Sequence, residues 1–174
     1  QVDGMEMIGH AVIQNRASQL SFLRCDTFDL EAATKELAFS PGPQASVAIV
    51  FLSGALKVNS VLKSLALHES KCNLVGARAI SAAIRHNRVL AVLQLKDIDL
   101  DDNGVSIISS VLAVHPTMRE LYLESCGFGE GGAASLAKHI SGNARLQVLS
   151  VSNNKIRETG VRHVAEAAAS LKSL

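Results

Sequence analysis

Leu37, Leu65, Leu93, Leu121 and Leu149 each stand 28 residues from the next, and this spacing limits the possible fold more than any other property of the chain. Two places after each comes a second apolar residue: Phe39, Leu67, Leu95, Leu123 and Val151. Three places before the last four leucines stand Leu62, Leu90, Met118 and Leu146, and seven places after those same leucines stand Cys72, Leu100, Phe128 and Ile156. Eleven places after the same four come Gly76, Gly104, Gly132 and Gly160. Columns that coincide at one period mark a repeat whose units bury their apolar sides against one another. In the Leu-x-Leu segment successive side chains point to opposite faces, as in a strand. Beyond each glycine the apolar spacing turns helical, as in Ile80, Ala83 and Ile84 or in Leu136, Ala137 and Ile140. Each unit therefore reads as a strand, a turn and a return helix.

The resulting pattern, LxxLxLxx(N/C/S)xLxxxG, is clearest at 90–104 (LAVLQLKDIDLDDNG) and 146–160 (LQVLSVSNNKIRETG). It resembles the ribonuclease-inhibitor-like class of leucine-rich repeats, over roughly residues 17–174. Ribonuclease inhibitor, the ligand-sensing ends of NOD-like receptors and tropomodulin share this class, and the unbroken 28-residue spacing most resembles the receptor-type arrays. The resemblance implies an α/β fold: a right-handed solenoid, or horseshoe, with a parallel sheet on the concave face and helices on the convex face. In that class, Asn or Cys five places after the strand leucine hydrogen-bonds the loop backbone; here the column reads Gly42, Ser70, Ile98, Cys126 and Asn154. Asn154, Cys126 and Ser70 are expected to serve in this way, and the turns at Gly42 and Ile98 to be irregular. Cys72 occupies an apolar column and is expected to be a small buried hydrophobe.

The expected organisation is a single leucine-rich-repeat domain spanning 1–174, with about six repeats, irregular over 1–58 and regular over 59–174. Leu20, Phe22 and Cys25 reproduce the start of a unit, but only 17 residues separate Leu20 from Leu37, so that unit must be shortened. Neither end reads as a polar cap. Both are expected to be cut within a repeat of a larger protein, leaving ends open to end-to-end self-association.

Formal charge is +1, from 17 basic and 16 acidic residues dispersed along the chain, so no basic stripe suited to nucleic acid is expected. Arg85, Arg88 and Arg145 are read as part of a solvated convex face. No apolar run approaches the ~20 residues that span a bilayer, and no membrane association is expected. Cys25, Cys72 and Cys126 are three in number and form no CxxC, which favours reduced thiols and a cytoplasmic location.

No cofactor is expected. The segment Gly127-Phe128-Gly129-Glu130-Gly131-Gly132 satisfies the dinucleotide pattern GxGxxG between a strand and a helix. Phe128 and Gly132 are better explained as repeat columns, and Ser150 and Ser152 stand on the next strand where a ribose-binding acid belongs. The segment is therefore read as a turn. No two of the six histidines lie within four residues of each other, which leaves no local metal pair, and most fall near helix ends in solvated or dipole-satisfying positions.

With the strand leucines pointing inward, their neighbours form outward columns whose identity folding does not dictate. They are Glu36, Ser64, Val92, Glu120 and Val148; Ala38, Ala66, Gln94, Tyr122 and Ser150; and Ser40, His68, Lys96, Glu124 and Ser152. A strand-exit column holds Pro41, Glu69, Asp97, Ser125 and Asn153. Tyr122 is the only tyrosine, in a chain without tryptophan, and aromatic anchors dominate interface energetics. The expected contact surface is Tyr122 with Lys96, Glu124, His68, Gln94, Glu120 and Asp97, binding a protein partner of unspecified identity. The chain is read as an interaction module or scaffold and not as an enzyme. The alternative is activation of a small GTPase, by resemblance to the Ran GTPase-activating protein, with Arg24 at a strand exit as the candidate arginine.

Overall fold

The computed structural model describes residues 22–25, 28–31, 36–39, 45–70, 72–141 and 143–171. Five parallel strands lie side by side in chain order: β3 (Glu36–Phe39), β4 (Ser64–Ser70), β5 (Val92–Ile98), β6 (Glu120–Glu124) and β7 (Val148–Ser150). Parallel neighbours need a crossover connection, and helices supply it. They are α1 (Ala45–Val58), α2 (Leu74–His86), α3 (Asp101–Ser109), α4 (Glu130–Ile140) and α5 (Arg157–Ala169), each packed on the next. Because such crossovers are right-handed, the helices share one side of the sheet. The chain is α/β, as expected.

The leucine column sets the register: Leu37 pairs with Leu65, Leu65 with Leu93, Leu93 with Leu121 and Leu121 with Leu149. Leu93 and Leu121 are 0% exposed, whereas Gln94 and Tyr122 between the inward leucines stay half-exposed. The core is one continuous layer running from Ile49 and Leu52 of α1 through the strand leucines to Val164 and Ala167 of α5. The glycine column is required by close approach. A Cβ on Gly132 would sit 2.9 Å from the Cβ of Phe128, the apolar residue four places before it, and a Cβ on Gly160 3.0 Å from the Cβ of Ala133 on the preceding helix.

Two sets of side chains fasten the units at opposite edges of the sheet. Where helices hand over to strands, Asn59, Asn87, His115 and Asn143 recur every 28 residues. Asn87 donates from Nδ2 to the carbonyls of Leu56 (2.8 Å) and Asn59 (3.0 Å) and accepts at Oδ1 from the amides of Val89 and Leu90. Asn143 repeats this one unit on, donating to the Leu112 carbonyl at 2.5 Å and accepting from Arg145 and Leu146. His115 takes the same place: its Nδ1 faces the Met118 amide at 3.1 Å, so it must accept, and Nε2 carries the proton toward the Asn87 carbonyl at 3.0 Å. His115 is buried, unlike the solvated or dipole-satisfying place expected of most of the histidines.

At the strand exits, Asn154 donates to the Leu123 carbonyl (2.6 Å) and accepts from the Cys126 amide (2.8 Å), while the Cys126 thiol reaches the Leu95 carbonyl (3.4 Å). Both serve as the sequence predicts. The side chain of Ser70 lies outside the described residues, as does Gly42. The turn at Ile98 is not irregular. Asp97, Ser125 and Asn153 share a left-handed backbone (φ 53°, 52° and 58°), so the exit turn keeps one shape while Ile98 is simply buried.

The first unit departs from expectation. β1 (Phe22–Cys25) pairs antiparallel with β2 (Phe28–Glu31), Cys25 opposite Phe28, in a two-stranded sheet separate from the parallel one. Three matching residues, Leu20, Phe22 and Cys25, are too short a pattern to specify a partner strand.

Candidate functional site

Alternation along β4 to β7 presents three outward columns on the face opposite the helices. Strand pairing sets Gln94 beside Tyr122, Tyr122 beside Ser150, His68 beside Lys96 and Lys96 beside Glu124, with Val92 next to Glu120. Six of the seven expected contact residues thus share one surface: Tyr122, Lys96, Glu124, His68, Gln94 and Glu120. Asp97 does not join them. Its left-handed backbone ends the alternation, and it stands exposed at the sheet edge.

Hydrogen bonds within this surface hold its polar groups in place. The Tyr122 hydroxyl donates to Glu120 Oε2 at 2.9 Å, two residues back on the same strand face. Ser150 donates to Glu124 Oε1 at 2.7 Å and lies 3.2 Å from the Ser152 hydroxyl. The bond to Glu120, followed by partial desolvation and the two neighbouring carboxylates, raises the phenol above its ordinary range, so it remains a neutral donor. Ser150 is the member that sequence reasoning missed. The signal was present, since Ser150 occupies the tyrosine's own column one unit later and sits diagonal to Glu124. Val148, 36% exposed, adds apolar area at the rim.

Three constellations that resemble chemistry have structural explanations. The glycine-rich turn before α4 is already occupied by an anion: Asp102, from the preceding unit, accepts the Gly129 amide at 2.6 Å, and a Cβ on Gly131 would lie 2.7 Å from its other oxygen. A helix start filled by a carboxylate has no room for a pyrophosphate. Ser109 lies 3.0 Å from His139 Nδ1, but its hydroxyl donates to the Ser106 carbonyl (3.2 Å) and it is 0% exposed, so the ring donates to an oxygen that no substrate can reach. Burial pushes the thiols of Cys72 and Cys126 up to about 12, which leaves both protonated and poor as nucleophiles or ligands. Among the described residues no group of His, Cys, Asp and Glu could hold a metal ion, and no helix is long and apolar enough to cross a membrane.

Two sequence readings of arginine need correction. Arg24 stands in β1 opposite Asp29 of the antiparallel pair, outside the parallel sheet, so it is not at the exit of a parallel strand as a GTPase-activating role would have it. Nor are the cations evenly dispersed: Lys63, Arg88, Arg119 and Arg145 line one groove of about 460 Å³ at the helix-to-strand edge. Lys63 and Arg119 share a column but are separated by Ala91, and Arg88 and Arg145 stand at other offsets, so no single period in the sequence reveals the cluster.

No protein-family model matches the sequence, and neither does any curated protein. Solved structures do match in fold. The structure titled leiomodin-1 actin-binding site 2 superposes with a TM-score of 0.65 at 20% identity, covering 78% of this chain and 79% of that one. The C-terminal domain of Caenorhabditis elegans tropomodulin gives 0.63 at 13% identity, covering 95% and 92%. These neighbours overturn the assignment to a ribonuclease-inhibitor-like, receptor-type array. A strand–helix period fixes the unit and leaves open how many units stack or how strongly they curve. The fold this chain shares is that of the tropomodulin and leiomodin domains.

Proposed function

We propose that this chain is a non-catalytic protein-binding module whose partner lies across the outer face of the parallel sheet, centred on Tyr122. The observation that carries this reading is the fastening of that face: Tyr122 is tied to Glu120 and Glu124 to Ser150, so the polar groups are ordered before a partner arrives. Strands stack at ~4.8 Å whereas helices need ~10 Å. The mismatch curves the stack into a short right-handed leucine-rich-repeat solenoid with the sheet on its concave side. Residues 1–174 act as one domain, and the buried, free thiols of Cys72 and Cys126 fit a reducing, cytoplasmic setting.

Actin is the partner to test first, because one structural neighbour is by its title an actin-binding site. Co-sedimentation with filamentous actin and fluorescence binding to monomeric actin should both be run with the whole chain and with Tyr122→Ala/Lys96→Ala. The double variant is expected to weaken binding by about tenfold or more, since truncating an interface anchor costs on the order of 2 kcal/mol. Without binding to actin, photo-crosslinking from position 94 identifies the partner to use instead. Capture of that partner undiminished in the double variant would remove the sheet face as the site.

A further inference from the structure

The four cations at the helix-to-strand edge come from four successive turns that the fold holds rigid, one from each. Lys63 and Arg119 occupy the same column two units apart, with the small side chain of Ala91 between them. Two strand spacings separate them, roughly 10 Å. Arg88 follows the ladder residue Asn87, and Arg145 lies two places after Asn143. The same carbonyls that close the turns fix their backbones: Lys63 O accepts the amides of Ala91 and Val92, Ala91 O those of Arg119 and Glu120, and Arg119 O those of Gln147 and Val148. All four side chains are exposed, and no described carboxylate lines the groove or pairs with them. Glu120, the nearest acid in sequence, is held on the sheet face by Tyr122. Such a concentration of like charge, unneutralised from within, is a surface for an anion.

We infer that this groove binds a short acidic peptide segment of a partner protein. Two features favour a peptide over a polyphosphate chain. The lining includes the apolar residues Val89, Ala91 and Pro116, which suit aliphatic side chains between carboxylates. No aromatic ring lines the groove, so bases have no stacking platform. An extended strand places alternate side chains about 7 Å apart, so a few alternating acids span the four cations, and each guanidinium can take a carboxylate in bidentate fashion.

This site is distinct from the sheet face, and the two readings fail separately. The test is fluorescence anisotropy with a labelled peptide of alternating Glu and Val, against its Gln-for-Glu counterpart, an oligo-dT strand and vesicles containing phosphatidylserine. The expected result is saturable binding of the Glu peptide only, weakened as salt rises. Arg119→Glu/Arg145→Glu should lose tenfold or more in affinity with an unchanged melting temperature, and Tyr122→Ala should bind as the parent does. Absence of saturable binding to the Glu peptide, equal binding of the Gln counterpart, retention by the charge-reversed variant, or tighter binding of oligo-dT or vesicles would each overturn the inference.

Discussion

The two edges of the parallel sheet solve the same problem by different means. At the helix-to-strand edge one device recurs: Asn59, Asn87, His115 and Asn143 stand at a fixed interval, and each accepts from the turn amides that follow it. At the strand exits each unit improvises. Asn154 makes bonds in both directions, Cys126 offers a weak thiol donor, and Ile98 has no polar atom to offer. The exit edge keeps its shape through left-handed backbone at Asp97, Ser125 and Asn153, residues that adopt it more readily than branched side chains do. The lesson is that one edge is held by side chains and the other chiefly by backbone conformation, so they should respond differently to mutation.

Asn87→Ala should show the largest effect. It strips partners from the carbonyls of Leu56 and Asn59 and from two amides in a buried turn, and unsatisfied buried groups cost ~1–3 kcal/mol each. A loss of about 3 kcal/mol in urea unfolding is expected. Asn154→Ala, at the half-exposed exit, should cost less, about 1–2 kcal/mol, because water can replace part of what is lost. Equal losses at the two positions would erase the distinction between the edges.

His115→Asn sharpens the comparison further. Burial holds the imidazole below its ordinary range, outweighing the bonds to the Asn87 and Ile84 backbone, and Arg88 pushes the same way. The unfolded chain therefore takes up a proton more readily than the folded one. The stability contributed by neutral His115 is fully present above about pH 6.5 and is lost as pH falls through the lower folded value. Protonation would also put an N–H where the Met118 amide needs an acceptor. With Asn at 115 the ladder becomes uniform, and the decline in stability between about pH 7 and pH 5 should shrink in a pH series of urea melts. An unchanged slope would mean that other groups govern it.

Much of this was legible in the chain. Leu65, Leu93 and Leu121 mark strand, register and inward face together because one residue type meets all three demands at one interval. Gly132 and Gly160 were legible because a side chain there would crowd Phe128 of the same unit or Ala133 of the preceding helix. The outward face followed from alternation alone, and its internal bonds did not, since the reach of Ser150 to Glu124 depends on rotamers. The ladder was half-visible in Asn59, Asn87 and Asn143, and His115 concealed it by using different atoms for the same bonds. β1 imitated a repeat in sequence and paired with β2, since a strand's partner is settled by what lies beside it. The groove cations escaped because Arg88, Arg119 and Arg145 sit at different offsets in their turns.

Asp102 reaches forward to the Gly129 amide, whereas Asn87, His115, Thr117, Asn143 and Asn154 reach back to carbonyls of the preceding unit, across 27 to 31 residues. The groups they reach are main-chain atoms, which neighbouring units supply whatever their side chains. An internal copy of one full period, inserted in frame, would therefore find its bonding partners waiting on both sides. The architecture tolerates growth by duplication, and it penalises any insertion within these units that is not a whole period long.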